Sequence, residues 1–179
     1  MVRFLNKSIG ILGGSFDPAH EGHLAISKIA IKNIKLKEVL WIITKQNPFK
    51  KKPLYSLQER MVRAKIMTKK VKKIRVIYLD KVVGSSKSVD IIKYLIKKRN
   101  IKNIYLIIGS DNLIKFHKWK SWKKLVKLTK LIVFSRKGYD RKGMKSVVAK
   151  YLKNKIIFIK NKPISISSTI LKKQSRSYL

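Results

Sequence analysis

The chain has no cysteine and only 8 acidic residues among 179. The first absence removes any disulfide framework and agrees with the cytoplasmic location expected here. Histidine is scarce as well, three in all, so a zinc site, which wants three protein ligands and usually a fourth, has little to draw on. No apolar run approaches the roughly 20 residues that a membrane span needs, and the start does not read as a secretory signal. With 45% hydrophobic residues the chain is too apolar for disorder. Its length predicts one domain, residues 1–179, with a sizeable core.

The shortage of acid leaves 45 Lys+Arg and a formal charge of +37. Such a field attracts ATP, nucleic acid or acidic membrane surfaces. The lysines are scattered through every segment, with no single basic tail, which reads as solvated surface whose long stems cover apolar area. No nucleic-acid recognition motif accompanies them, so neither a specific nucleic-acid partner nor a membrane is expected.

What is present is concentrated in Gly13-Gly14-Ser15-Phe16-Asp17-Pro18-Ala19-His20-Glu21-Gly22-His23. An apolar run precedes it, and an apolar-periodic segment from Leu24 follows, the order of strand, glycine turn and helix. Polar groups thus gather at the carboxyl end of a strand, where open α/β sheets bind ligands. Glycines permit unusual dihedrals and close backbone approach, and a helix N-terminus favours an anion. His20 and His23, three apart, share one face of a first turn. The residues alone leave three readings open: phosphate binding, which they favour, a structural turn, and a metal site.

This stretch resembles the GxFDPxHxGH signature of the HxGH nucleotidyltransferase superfamily. A second signature of that superfamily, ISSTxxR, is matched by Ile166-Ser167-Ser168-Thr169-Ile170-Leu171-Lys172, with Lys172 in place of the usual arginine. Within the superfamily the full chain is most similar to the nicotinate-nucleotide adenylyltransferase family. The resemblance implies a doubly wound, mostly parallel α/β sheet of Rossmann-like nucleotidyltransferase type. It implies ATP and nicotinate mononucleotide as substrates, Mg²⁺ beside the phosphates, and deamido-NAD and pyrophosphate as products. Pantetheine-phosphate adenylyltransferase shares both end motifs and the glycerol- and choline-phosphate cytidylyltransferases share the first, but neither calls for the middle of this chain.

In order, strands are predicted at 8–12, 38–43, 74–78, 103–108, 131–134 and 156–159. Helices are predicted from residue 22 or 23 to about 32, from a Ser56/Glu59 capping box toward Met67, over 89–98, from about Asn112, and over 143–152, with a last one capped by Ser167 or Ser168. Residues 44–53 form a loop whose Lys50 and Lys51 either meet phosphates or are solvated. Asp90 in a first turn need be no more than a favourable helix-end charge. After the fourth strand comes Gly109-Ser110-Asp111-Asn112, where the family shows Gly-Ala-Asp-Asn; Asp111 caps the next helix, accepts from a ligand hydroxyl or base, or does both. Trp119 and Trp122 are spaced as core or as stacking groups; the resemblance makes Trp119 the ring that stacks on nicotinate and leaves Trp122 to the core. Arg136, beyond the fifth strand, matches an arginine on the triphosphate side of the family's site. By the same resemblance His20 and His23 are the catalytic pair. Gly13, Gly14, Ser15, Phe16, Asp17, Gly109, Asp111, Ser167, Ser168, Thr169 and Lys172 complete the nucleotide site.

Overall fold

In the computed structural model, residues 8–47, 49–99, 101 and 103–161 are described. Ser167, Ser168, Thr169 and Lys172 lie outside them, as does the predicted last helix.

Six strands, β1 (Ser8–Gly14), β2 (Glu38–Ile43), β3 (Ile74–Ile77), β4 (Asn103–Gly109), β5 (Lys130–Phe134) and β6 (Ile156–Ile159), form one sheet in the order β3-β2-β1-β4-β5-β6. Every neighbouring pair is parallel. The continuous apolar runs predict this, because a parallel sheet buries both faces. Side chains alternate between two cores: Leu40 and Ile42 of β2 join one, Val39, Trp41 and Ile43 the other. Gly10 in β1 is fixed by crowding, since a Cβ there would stand 2.9 Å from Ile107 and Leu36 side-chain atoms.

Helices α1 (Glu21–Ile34) and α2 (Leu57–Thr68) follow β1 and β2, and α4 (Ser88–Arg99) leads into β4. The predicted capping box of α2 is present: Ser56 Oγ accepts from Glu59 N–H at 3.2 Å, and Ser56 N–H donates to Glu59 Oε2 at 2.8 Å. Asp90 does more than lie at a helix end, because its Oδ2 accepts from Ser85 Oγ at 2.8 Å. A short α3 (Asp80–Val83), not predicted, ends at Gly84 with φ +67°. Its Asp80 carboxylate accepts from Thr44 Oγ1 and Lys45 N–H, each at 3.0 Å.

Three expectations are corrected. α5 (Ser110–Lys115) starts two residues early with Gly109 at the N-cap position, so Asp111 lies inside the first turn and does not cap it. A single turn of 3₁₀ helix, Phe116–Lys118, and α6 (Trp122–Leu128) complete that connection. The predicted helix over 143–152 is two, α7 (Asp140–Met144) and α8 (Val147–Leu152), because Ser146 Oγ accepts from Ala149 N–H and starts a new helix. Among the described residues no helix is long and apolar enough to cross a membrane.

Candidate active site

The strand order reverses between β1 and β4, and a cleft of about 1160 Å³ opens at their carboxyl ends. This is the switch point at which doubly wound sheets take their ligands. Gly13, Gly14, Ser15, Phe16, Asp17, His20, His23, Lys50, Lys51, Gly109, Asp111, Trp119 and Arg136 all line it. Residues up to 123 positions apart in sequence, Gly13 and Arg136, are brought together by the fold alone.

The turn after β1 departs from one expectation. Gly13 and Gly14 are not in the left-handed region; Phe16, at φ +47°, is. A bulky residue held there is a strained position of the kind that collects at functional sites. A Cβ on Gly13 would meet nothing within 4 Å, so that glycine leaves open space in the cleft. Asp17 is buried, and its carboxylate accepts from Leu54 N–H at 2.9 Å and Tyr55 N–H at 3.0 Å. It therefore staples the turn to the end of the loop that carries Lys50 and Lys51.

His20 is the N-cap of α1 and His23 its third residue. Their ring centroids lie 3.8 Å apart, and His20 N–H donates to His23 Nδ1 at 3.2 Å. That bond assigns the proton of neutral His23 to Nε2. Phe16 lies 4.7 Å and Trp41 5.9 Å from the His23 ring, centroid to centroid. Trp41 is in turn fixed by donating to Ser27 Oγ at 2.8 Å. Both imidazoles are kept neutral. Burial, then the charges of Arg136 and Lys50, lower His20 to about 4. Burial, then His20, Lys50 and Arg136, hold His23 well below its ordinary 6.5. The pair thus offers neutral N–H donors, with the positive charge left to Lys50, Lys51 and Arg136 around it.

Across the cleft, Arg136 Nη1 donates to Asp111 Oδ2 at 2.8 Å, with both side chains partly exposed. Asp111 Oδ1 is buried and has no hydrogen-bond partner among the described residues. Gly109 lets that oxygen come close, because a Cβ would lie 2.4 Å from it and oblige the Asp111 carboxylate to shift. Trp119 stacks on Phe116 at 4.7 Å and 24° and packs partly buried against the core, as Trp122 does, edge-on to Tyr151 at 5.1 Å.

Two supports were not predicted. Arg60 of α2 is 1% exposed and donates to four backbone carbonyls: Ser15 at 2.6 Å, Thr44 at 2.9 Å, Lys45 at 3.0 Å and Tyr55 at 3.1 Å. It joins the glycine turn to both ends of the lysine loop. Its sequence signal was a charge on the Leu57–Ala64 apolar stripe. Asp140 of α7 accepts from Ser110 Oγ at 2.6 Å, Ser135 Oγ, and Arg136 N–H at 2.8 Å. Burial pushes its pKa up, but the hydrogen bonds from Ser110, Ser135 and Arg136, with Lys160 nearby, bring it below the usual carboxylate range. Nothing in the local sequence marked it.

A cleft at the switch point with neutral histidines, cationic walls and a glycine turn defines a phosphate-handling α/β protein. The chain belongs to the cytidylyltransferase-like family, whose family model matches residues 11–174. Within that class it belongs with the nicotinate-nucleotide adenylyltransferases. A Pelagibacter ubique protein named "Probable nicotinate-nucleotide adenylyltransferase" is 48% identical over 166 residues, 92% of each chain. An Aquifex aeolicus protein of the same name is 37% identical over 89% of this chain and 98% of its own. The fold is shared with the Plasmodium falciparum nicotinic acid mononucleotide adenylyltransferase complexed with NaAD, at a TM-score of 0.76 and 22% identity over 93% of this chain and 83% of that one.

Proposed function

We propose that this chain transfers the adenylyl group of ATP to nicotinate mononucleotide, giving deamido-NAD and pyrophosphate, a step of NAD biosynthesis. The observation that carries the reading is the 48% identity to a protein of that name across 92% of both chains. A phosphate oxygen of the mononucleotide attacks the α-phosphorus of ATP. The bond to the bridging oxygen breaks, and pyrophosphate leaves with the electron pair. The acceptor phosphate is already an ionised nucleophile, so no side-chain nucleophile is needed, and catalysis consists of alignment and charge stabilisation.

The cleft supports named roles for its residues. His23, through Nε2–H, and His20 donate to phosphoryl oxygens on which negative charge grows. Lys50, Lys51 and Arg136 supply positive charge, and Ser167, Ser168, Thr169 and Lys172 join them by the match to the second motif. Gly13 leaves room for the phosphates, Asp111 Oδ1 accepts from a ligand hydroxyl or amine, and Trp119 stacks on the pyridine ring. Mg²⁺ is expected to arrive on the triphosphate and to be held by it and by water. Among the described residues no three His, Asp or Glu gather to bind it, and no step here runs through a protein-held metal.

The test is pyrophosphate release from ATP with nicotinate mononucleotide, nicotinamide mononucleotide, phosphopantetheine and glycerol phosphate in parallel. Turnover is expected with nicotinate mononucleotide and not with the last two. Preference for phosphopantetheine or glycerol phosphate would reassign the substrate.

A further inference from the structure

β4 and β5 are neighbours whose last ladder pair is Gly109 with Phe134. The next residues, Ser110 and Ser135, both send hydroxyls to the Asp140 carboxylate. Arg136 N–H donates to Asp140 Oδ1 at 2.8 Å and to Ser110 Oγ at 3.1 Å. Ser110 is fully buried, and α7 lies directly on it: a Cβ at Gly143 would meet the Ser110 carbonyl at 2.9 Å. The clasp therefore fixes the Arg136 backbone relative to the end of β4. Asp111, which holds the Arg136 guanidinium at 2.8 Å, follows Ser110 directly. Both ends of Arg136 are thus tied to one short segment, the backbone through Asp140 and the side chain through Asp111.

We infer that Asp140 is a positioning residue. Without touching substrate, it sets where the Arg136 guanidinium stands in the cleft and so the grip on the triphosphate. This rests on the assignment of Arg136 to the triphosphate. Ser110 is part of the device, which gives the hydroxyl in the Gly-Ser-Asp-Asn segment a purpose that alanine would not serve. A carboxylate that accepts three hydrogen bonds across two strand ends has little rotational freedom, so the pose it imposes is well defined.

The experiment is a double-mutant cycle on the full chain, read as the KM for ATP and for the mononucleotide, with melting temperatures alongside. Arg136→Ala is expected to raise the KM for ATP about tenfold, the size that one charge-assisted hydrogen bond commands. Asp140→Asn is expected to raise it roughly fivefold, keeping the mononucleotide KM within about twofold, and to add nothing when Arg136 is already alanine. Ser110→Ala, a gentler change that keeps the carboxylate, is expected to act about threefold in the same non-additive way. If Arg136→Ala leaves the KM for ATP unchanged, Arg136 has been misassigned and the positioning role goes with it. If Arg136→Ala acts but Asp140→Asn and Ser110→Ala do nothing, or act fully in the Arg136→Ala background, Asp140 merely supports the fold.

Discussion

Between an aromatic wall and the His20 N–H, the His23 ring has one orientation and one tautomer. A single oriented donor at the developing charge is worth roughly 10²–10³ in rate, so His23→Ala is expected to lower kcat by that factor and leave the protein folded by circular dichroism. The same neutrality has a thermodynamic signature. His20 titrates near 4 in the folded chain and near 6.5 when unfolded, and His23 is lowered as well. Between those values the unfolded state binds more protons, so stability is lost as pH falls from about 6.5 through 4 and is unaffected by the pair above that window. Urea midpoints at pH 7.5, 6 and 5 are expected to decline in that order, and less steeply for His20→Asn/His23→Asn. Trp119 is tested by selectivity. With Phe116 stacked beside it, Trp119→Ala is expected to raise the mononucleotide KM about tenfold, since stacking on an aromatic is worth about 1–3 kcal/mol. The KM for ATP should stay near the parent's; equal damage to both would make Trp119 a core residue.

At the scale of elements, α2 acts through one side chain. Arg60→Ala removes the donor of four carbonyls, three of them on the loop that carries Lys50 and Lys51 or its flanks. Orphaned buried acceptors make a loss of about 3 kcal/mol or more the expected result, measured by urea unfolding. Arg60→Lys should recover less than half, because an ammonium has three donors and no planar fork. The elements differ in how far sequence foretold them. All six strands were legible because a buried parallel strand is a short apolar run, and runs need no partner to be seen. The helix over 143–152 was not, since its break depends on Ser146 turning its hydroxyl to Ala149 N–H while α7 closes on Ser110. Arg60 stood on an apolar stripe where its charge was a visible anomaly, yet its carbonyl partners are known only once β1, β2 and the loop are assembled. Asp140 left no trace in its neighbours. The histidine turn, Lys50, Lys51, Asp111, Trp119 and Arg136 were singled out by family resemblance, and the fold brings them to one cleft.

At the scale of the whole molecule, each half of the doubly wound sheet supplies one wall. β1 and β2 lead into the histidines and Lys50, and β4 and β5 into Asp111 and Arg136. The division of labour inside that cleft, neutral imidazoles within and permanent cations around them, separates two quantities that most phosphate sites mix. Capture of the tetra-anionic nucleotide depends on a long-range field, which here sums to a formal +37. On the proposed reading, the neutral imidazoles serve the chemical step through short, uncharged contacts. Dissolved ions weaken the first and hardly reach the second, because screening acts over about 10 Å at 0.1 M. Raising potassium chloride from about 0.05 to 0.5 M is therefore expected to lower kcat/KM for ATP by about tenfold or more, within the range of electrostatically steered encounters, while kcat at saturation holds within about twofold. A parallel fall in kcat would mean that the charges of Lys50, Lys51 or Arg136 act in the chemical step and not only in capture. Ionic strength would thus govern how fast this protein finds its nucleotide and leave untouched how fast it converts it.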